Sequence, residues 1–147
     1  MKKLILLFSF LPLFFSCEEA EIDVRDQYTG EWDIEMVGNM SLVHGSDIIY
    51  TVPMSGNSVI DISKNGDSGS ELNIDGLICV LSGNKLLFDA ETETQMQDGV
   101  TMQVTVTRTG TINSTIISIK ETYSGVWQTS SANGIITGSS NHTLTKK

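Results

Sequence analysis

Few residues of this 147-residue chain are of a reactive type, and their surroundings argue against reactive roles. Ser68 stands in Gly66-Asp67-Ser68-Gly69, but a nucleophilic serine needs a positioned base and an orienting acid. Its surroundings, Lys64 to Ser70, are turn formers between two strand-like runs, so the segment reads as a turn. His44 and His142 lie in Gly- and Asn-rich stretches that read as loops or strand ends, without the further ligands a zinc site needs. Asp89, Glu91 and Glu93 fall on one face if their segment is extended, an arrangement that could hold calcium. No glycine at EF-hand spacing accompanies them, and they read as a solvated face. Cys79, inside Leu77-Ile78-Cys79-Val80-Leu81, reads as a small core residue, because a buried thiol behaves as a hydrophobe. The chain is therefore expected to hold no catalytic residue, metal or cofactor, and not to be an enzyme.

Binding is better supplied than catalysis. Met102, Val104 and Val106 alternate with polar residues, and Arg108 continues their phase, so its side chain starts toward an apolar interior. A guanidinium there either pairs with a carboxylate or snorkels to the rim, or it clamps the anionic head of an apolar ligand. Trp32, Ile34 and Met36 alternate in the same way. With Met supplying adaptable packing, the candidate ligand set is Trp32, Ile34, Met36, Met102, Val104, Arg108 and Trp127. The two tryptophans close two copies of one pattern, Tyr28-Thr29-Gly30-Glu31-Trp32 and Tyr123-Ser124-Gly125-Val126-Trp127. If both copies are extended, Tyr, Gly and Trp share one side of a strand, and the glycine admits a neighbouring ring or a sharp bend. Both tryptophans also read as core plugs, and the two copies could meet if the first and last strands pair.

The first seventeen residues indicate where the chain works. Lys2 and Lys3 precede an apolar stretch from Leu4 to Phe15, which is well short of the roughly 20 residues a spanning helix needs. Before Cys17 stand Phe14-Phe15-Ser16, and only Ser16 fits ordinary signal cleavage, so the cysteine explains the cut better. The stretch resembles the lipobox of bacterial lipoproteins, which implies removal of residues 1–16 and acylation of Cys17 as an anchor in the lipid bilayer. Residues 17–27, from Cys17 through EEAEIDVRDQ, read as a charged, solvated tether. The acidic cluster after Cys17 resembles the export tags of Bacteroidetes lipoproteins, which implies the outer membrane and its outer, cell-surface face, with the periplasmic face as the alternative.

Removing 1–16 leaves 131 residues, enough for one domain with its own core. The balance becomes seven basic against eighteen acidic residues, or −11. Nucleic acid is excluded as a partner, because its binding rests on Lys and Arg neutralising phosphates. If Cys17 carries lipid, Cys79 has no intramolecular partner, and no disulfide is expected.

From Tyr28 the period is two. Alternation marks strands at Trp32–Met36, Ile48–Val52, Ile60–Ile62, Leu72–Ile74 and Met102–Thr107, with further candidates at 85–89, 111–120, 122–128 and 134–145. Asp89 to Gln97 reads as a short helix or a polar strand. Asn65-Gly66-Asp67, Asp75-Gly76, Ser82-Gly83-Asn84, Asp98-Gly99 and Asn133-Gly134 are turn signals, and Asp75-Gly76 is a strong hairpin signature. Eight to ten short antiparallel strands give an all-β barrel over 28–147, with a sandwich as the alternative, and closure removes two long exposed edges.

Gly30-Glu31-Trp32 at the opening of the first strand resembles the Gly-x-Trp signature of lipocalins and the wider calycin superfamily. The resemblance implies an up-and-down barrel whose first-strand tryptophan packs at a closed end, with a cavity for a small apolar ligand. The arginine that covers this tryptophan in lipocalins has no counterpart here, where the last strand ends Leu144-Thr145-Lys146-Lys147. The leading expectation is a membrane-anchored lipocalin-like binding lipoprotein. The alternative is an accessory surface module that acts through protein contacts, with a core filled solid by Trp32, Trp127, Tyr50 and Phe88.

Overall fold

The computed structural model describes residues 22–147; the stretch read as a removable signal, Cys17 and the acidic cluster after it lie outside the described residues. Nine strands follow a single 3-10 turn at Val24–Gln27: β1 (Gly30–His44), β2 (Asp47–Lys64), β3 (Glu71–Ile74), β4 (Leu77–Ser82), β5 (Lys85–Phe88), β6 (Glu91–Gln97), β7 (Val100–Ile112), β8 (Ile116–Gln128) and β9 (Asn133–Lys146). All pair antiparallel with their sequence neighbours, except that β5 pairs β7 and β1 pairs β9. The result is a closed eight-stranded up-and-down barrel, lipocalin-like in topology, with β6 as an extra strand on β7.

Strand lengths give the barrel two unlike ends. β1 and β2 run 15 and 18 residues, and β7, β8 and β9 run 13, 13 and 14, whereas β3, β4 and β5 have only 4, 6 and 4. The cause is local. Asp75-Gly76 and Gly83-Asn84 interrupt the chain so soon that β3 to β5 form a low wall. Asp75 (φ 51°) and Gly76 (φ 91°) make the two-residue hairpin with both residues left-handed, as the Asp-Gly signature requires. Beyond that wall the sheet runs β2-β1-β9-β8-β7-β6 with free edges at β2 and β6.

At the closed end each barrel strand contributes an inward side chain: Trp32, Ile62, Leu72, Cys79, Leu86, Ile112, Ile117 and Leu144, all at most 3% exposed. Eight strands leave an interior just wide enough for side chains to fill, and here they fill it. Trp32 donates its indole N–H to the Tyr28 carbonyl at 2.8 Å, and the Lys146 ammonium stands 5.9 Å from the centre of its ring. That lysine comes from the last strand, where the lipocalin comparison wants an arginine.

Several expectations are corrected. The charged stretch does not stay solvated as far as Gln27: Arg25 is buried, grips Asp23 through Nε and Nη2, and donates from Nη1 to the Gly66 carbonyl at 3.1 Å. The Arg25 guanidinium holds the Asp23 carboxyl well below the usual carboxylate range. A polar, charge-rich run without apolar periodicity reads as a solvated spacer, but a guanidinium can satisfy loop carbonyls that have no strand partner. The first Tyr-x-Gly-x-Trp copy is not one strand face, because Tyr28 caps the 3-10 turn and Gly30 enters β1 at φ 109°. The second copy is a strand face throughout. The copies do not meet: Trp32 sits at the closed end and Trp127 near the open end of β8. Asn133-Gly134 is not the β8–β9 turn, which is formed by Thr129–Ala132. Gly134 lies in β9, where a Cβ would strike the Val43 carbonyl and the Trp127 ring. The strand candidates at 111–120 and 122–128 redistribute into β7 and β8, broken at Asn113–Thr115, and Asp89 to Gln97 is a polar strand from Glu91 onward. Tyr50 is 61% exposed and fills no core.

Candidate functional site

The inner face of the open half is set by strand phase. Met102, Val104 and Val106 on β7 are cross-strand partners of Trp127, Gly125 and Tyr123 on β8, and of Gln95, Glu93 and Glu91 on β6. Gly138 on β9 lies between Tyr123 and Met40 of β1. With no side chain at 138, Met40 and Tyr123 border the same space. There Met40, Met102, Val104, Val106 and Tyr123 line a recess of about 190 Å³, with Glu93 and Gln95 on its β6 side. Two glycines make this curl possible: a Cβ at Gly125 would strike the Gln103 carbonyl, and one at Gly138 the Asn39 carbonyl.

Toward the closed end the same face turns polar and buried. Glu121, only 8% exposed, accepts from the Tyr123 hydroxyl at 2.5 Å and from Arg108 Nε at 2.6 Å. Ser140, fully buried, places its hydroxyl 3.2 Å from Glu121, 2.8 Å from Tyr123 and 3.0 Å from His142 Nε2. His142 Nε2 is itself 3.2 Å from Glu121. The hydrogen bond to His142 outweighs the desolvation that burial imposes and, with those from Tyr123 and Arg108, holds the Glu121 carboxyl well below its ordinary range. Burial and the bond to Glu121 push the Tyr123 hydroxyl up to about 12. Arg108 Nη1 also reaches Glu91 at 2.7 Å. Arg108 is therefore neutralised by two carboxylates, the partner its inward phase demanded.

The seven candidate ligand residues separate accordingly. Met102 and Val104 line the recess. Trp32 is completely buried in the closed-end core, and Ile34 packs on that core. Met36 is half-buried on β1 but does not line the recess. Arg108 is held in the polar cluster, whereas Trp127 is buried nearer the open end, donating to the Val43 carbonyl at 3.2 Å with its ring 6.2 Å from that of His44. Sequence reading did not assign Met40, Val106, Tyr123, Glu93 and Gln95 to this site. Met40 and Val106 carry a visible signal, since each continues an alternation already traced. The Glu121 cluster carries one signal, the inward phase of Arg108 that calls for a carboxylate; its remaining members lie on β8 and β9 and become neighbours of Arg108 only through register. Cys79 behaves as expected: it is 1% exposed, and burial pushes its thiol up to about 11.

Comparison with protein-family models, curated proteins and solved structures finds no match to this chain.

Proposed function

We propose that this chain is a lipid-anchored, lipocalin-like lipoprotein of the Bacteroidetes type at the outer-membrane surface, whose open half binds a small apolar or amphiphilic ligand. The recess bordered by Met40, Met102, Val104, Val106 and Tyr123 carries the reading, because it places adaptable apolar side chains beside a polar rim. The lipocalin comparison is supported by Trp32 at the closed end and by Lys146 above its ring, a cation from the last strand. Anchoring rests on the Cys17 sequence. From Cys17 to Asp23, which pairs with Lys64 at the closed end, six residues reach at most roughly 20 Å, so the acyl chains and the closed end lie on one side. The open end then faces away from the bilayer.

Two measurements test this. Cys17→Ala should move the protein out of the membrane fraction, and the wild type should carry a lipid mass. Retention of the variant in membranes with no lipid on the wild type would refute the anchor. The full chain in phosphatidylcholine vesicles should show a saturable change in Trp127 emission with a small amphiphile, since Trp127 is the cross-strand partner of Met102.

One observation favours an accessory module that acts through protein contacts. On the outer face near the open end, Val126, Ile135, Val43 and Ile48 are successive cross-strand partners, and Val126, Ile135 and Ile48 are 52%, 53% and 66% exposed. Absence of any saturable amphiphile signal would favour this second reading.

A further inference from the structure

We propose that the recess selects cationic ligands over anionic ones, with Glu93 as the group that meets the positive charge and a short hydrocarbon portion lying on Met102, Val104 and Val106. The inference rests on the binding reading above and reverses the head-group polarity that Arg108 alone suggested. Three stretches supply every residue around the recess: Met36–Ser63, Glu91–Thr107 and Glu121–Thr145. None contains a lysine or an arginine. The nearest guanidinium in strand phase, Arg108, has Nε on Glu121 at 2.6 Å and Nη1 on Glu91 at 2.7 Å. An incoming carboxylate would have to displace Glu91 or Glu121 to reach it.

Glu93 differs from both of those carboxylates. It faces the recess from β6, and among the described residues its only side-chain hydrogen bond comes from the Gln95 amide, at 3.3 Å. A carboxylate on the rim of an apolar recess attracts an ammonium and repels a second carboxylate. The volume, about 190 Å³, corresponds to roughly six water molecules, which suits a chain of about six carbons rather than a long acyl chain. The ligand class is a short alkylammonium or a similarly sized organic cation.

Hexylammonium, hexanoate and hexanol share a six-carbon chain and differ chiefly in head-group charge, so they separate charge selection from apolar binding. Each is titrated by calorimetry into the full chain in phosphatidylcholine vesicles, with protein-free vesicles as the blank. The cation should bind about three- to tenfold more tightly than hexanol and at least tenfold more tightly than hexanoate. Glu93→Gln, on an exposed strand, should remove most of the cation's advantage over hexanol. If hexanoate binds as well as the cation, charge selection is overturned while ligand binding stands. If the cation's advantage survives Glu93→Gln, the assignment to Glu93 is overturned. If none of the three saturates, the binding reading falls with it.

Discussion

Replacing Glu121 by Gln tests whether the buried polar cluster holds the open and closed halves together. Gln has nearly the shape of Glu, so the change removes a charge and one acceptor without opening a cavity. In the wild type the carboxylate faces four partners: Tyr123 at 2.5 Å, Arg108 at 2.6 Å, and Ser140 and His142 each at 3.2 Å. Hydrogen bonds to charged groups contribute roughly 1.5 to 3 kcal/mol each, and removing one partner of a buried pair costs roughly 3 to 5 kcal/mol. Arg108 keeps Glu91, whose side chain is 51% exposed, and Gln keeps one acceptor, so the lower part of that range applies. We expect a loss of about 2 to 4 kcal/mol at pH 7 by urea unfolding and a fall in Tm of roughly 10 °C. The pH dependence has a definite sign. The folded carboxyl is held below its unfolded value near pH 4.3, so its contribution is complete above that pH and is lost as the pH falls through the folded value. The gap between wild type and variant should therefore shrink steadily as the solution is acidified below about pH 4. Asp23, also held low, acts equally in both proteins and cancels. A cost under about 1 kcal/mol at pH 7, or a gap that does not change with pH, would refute this account.

Three further outcomes follow from the packing. Trp32→Ala should cost about 3 to 5 kcal/mol in urea unfolding, because the ring is fully buried; under about 1 kcal/mol would mean the closed end is not a packed core. Gly134→Ala should cost about 1 to 3 kcal/mol and shift Trp127 emission, because its Cβ meets that ring, whereas Gly56→Ala, with open space around it, should leave both unchanged. Cys79 should resist a thiol reagent at pH 8 and become reactive only through the urea transition, since it is buried and its thiol is raised to about 11.

The barrel was legible in the sequence because its two signals are local. Alternation shows the inward phase of β1 and β7 residue by residue, and Asp75-Gly76 marks its hairpin through the left-handed pair that turn requires. The errors arise where one residue type serves two purposes. Gly134 looks like a turn glycine beside Asn133, yet it sits in a strand because the Trp127 ring occupies the space of its missing side chain. Arg25 looks like part of a solvated charge run, yet the loop carbonyls that it caps lie about forty residues further along the chain. The site was legible only in part. Met102 and Val104 could be placed on the inner face, but which inner residues border a recess depends on how far opposite strands extend, and the low wall of β3 to β5 decides that.

The same low wall links the fold to its proposed use. An eight-stranded barrel can be filled by side chains or can hold one small ligand, and the closed end here is filled by one side chain from each strand. Here β3, β4 and β5 stop early, and space appears opposite them. The residues that define this space are held by backbone contact: Gly138 lets β9 approach the Asn39 carbonyl of β1, and Gly125 lets β8 approach the Gln103 carbonyl of β7. Met40 and Tyr123 are thus brought to the same recess by close strand approach, without a loop that must close over a ligand. A ligand entering it orders little of the protein, so the cost of binding is mainly the ligand's own loss of freedom. That suits a small molecule, the class that a recess of about 190 Å³ can accommodate.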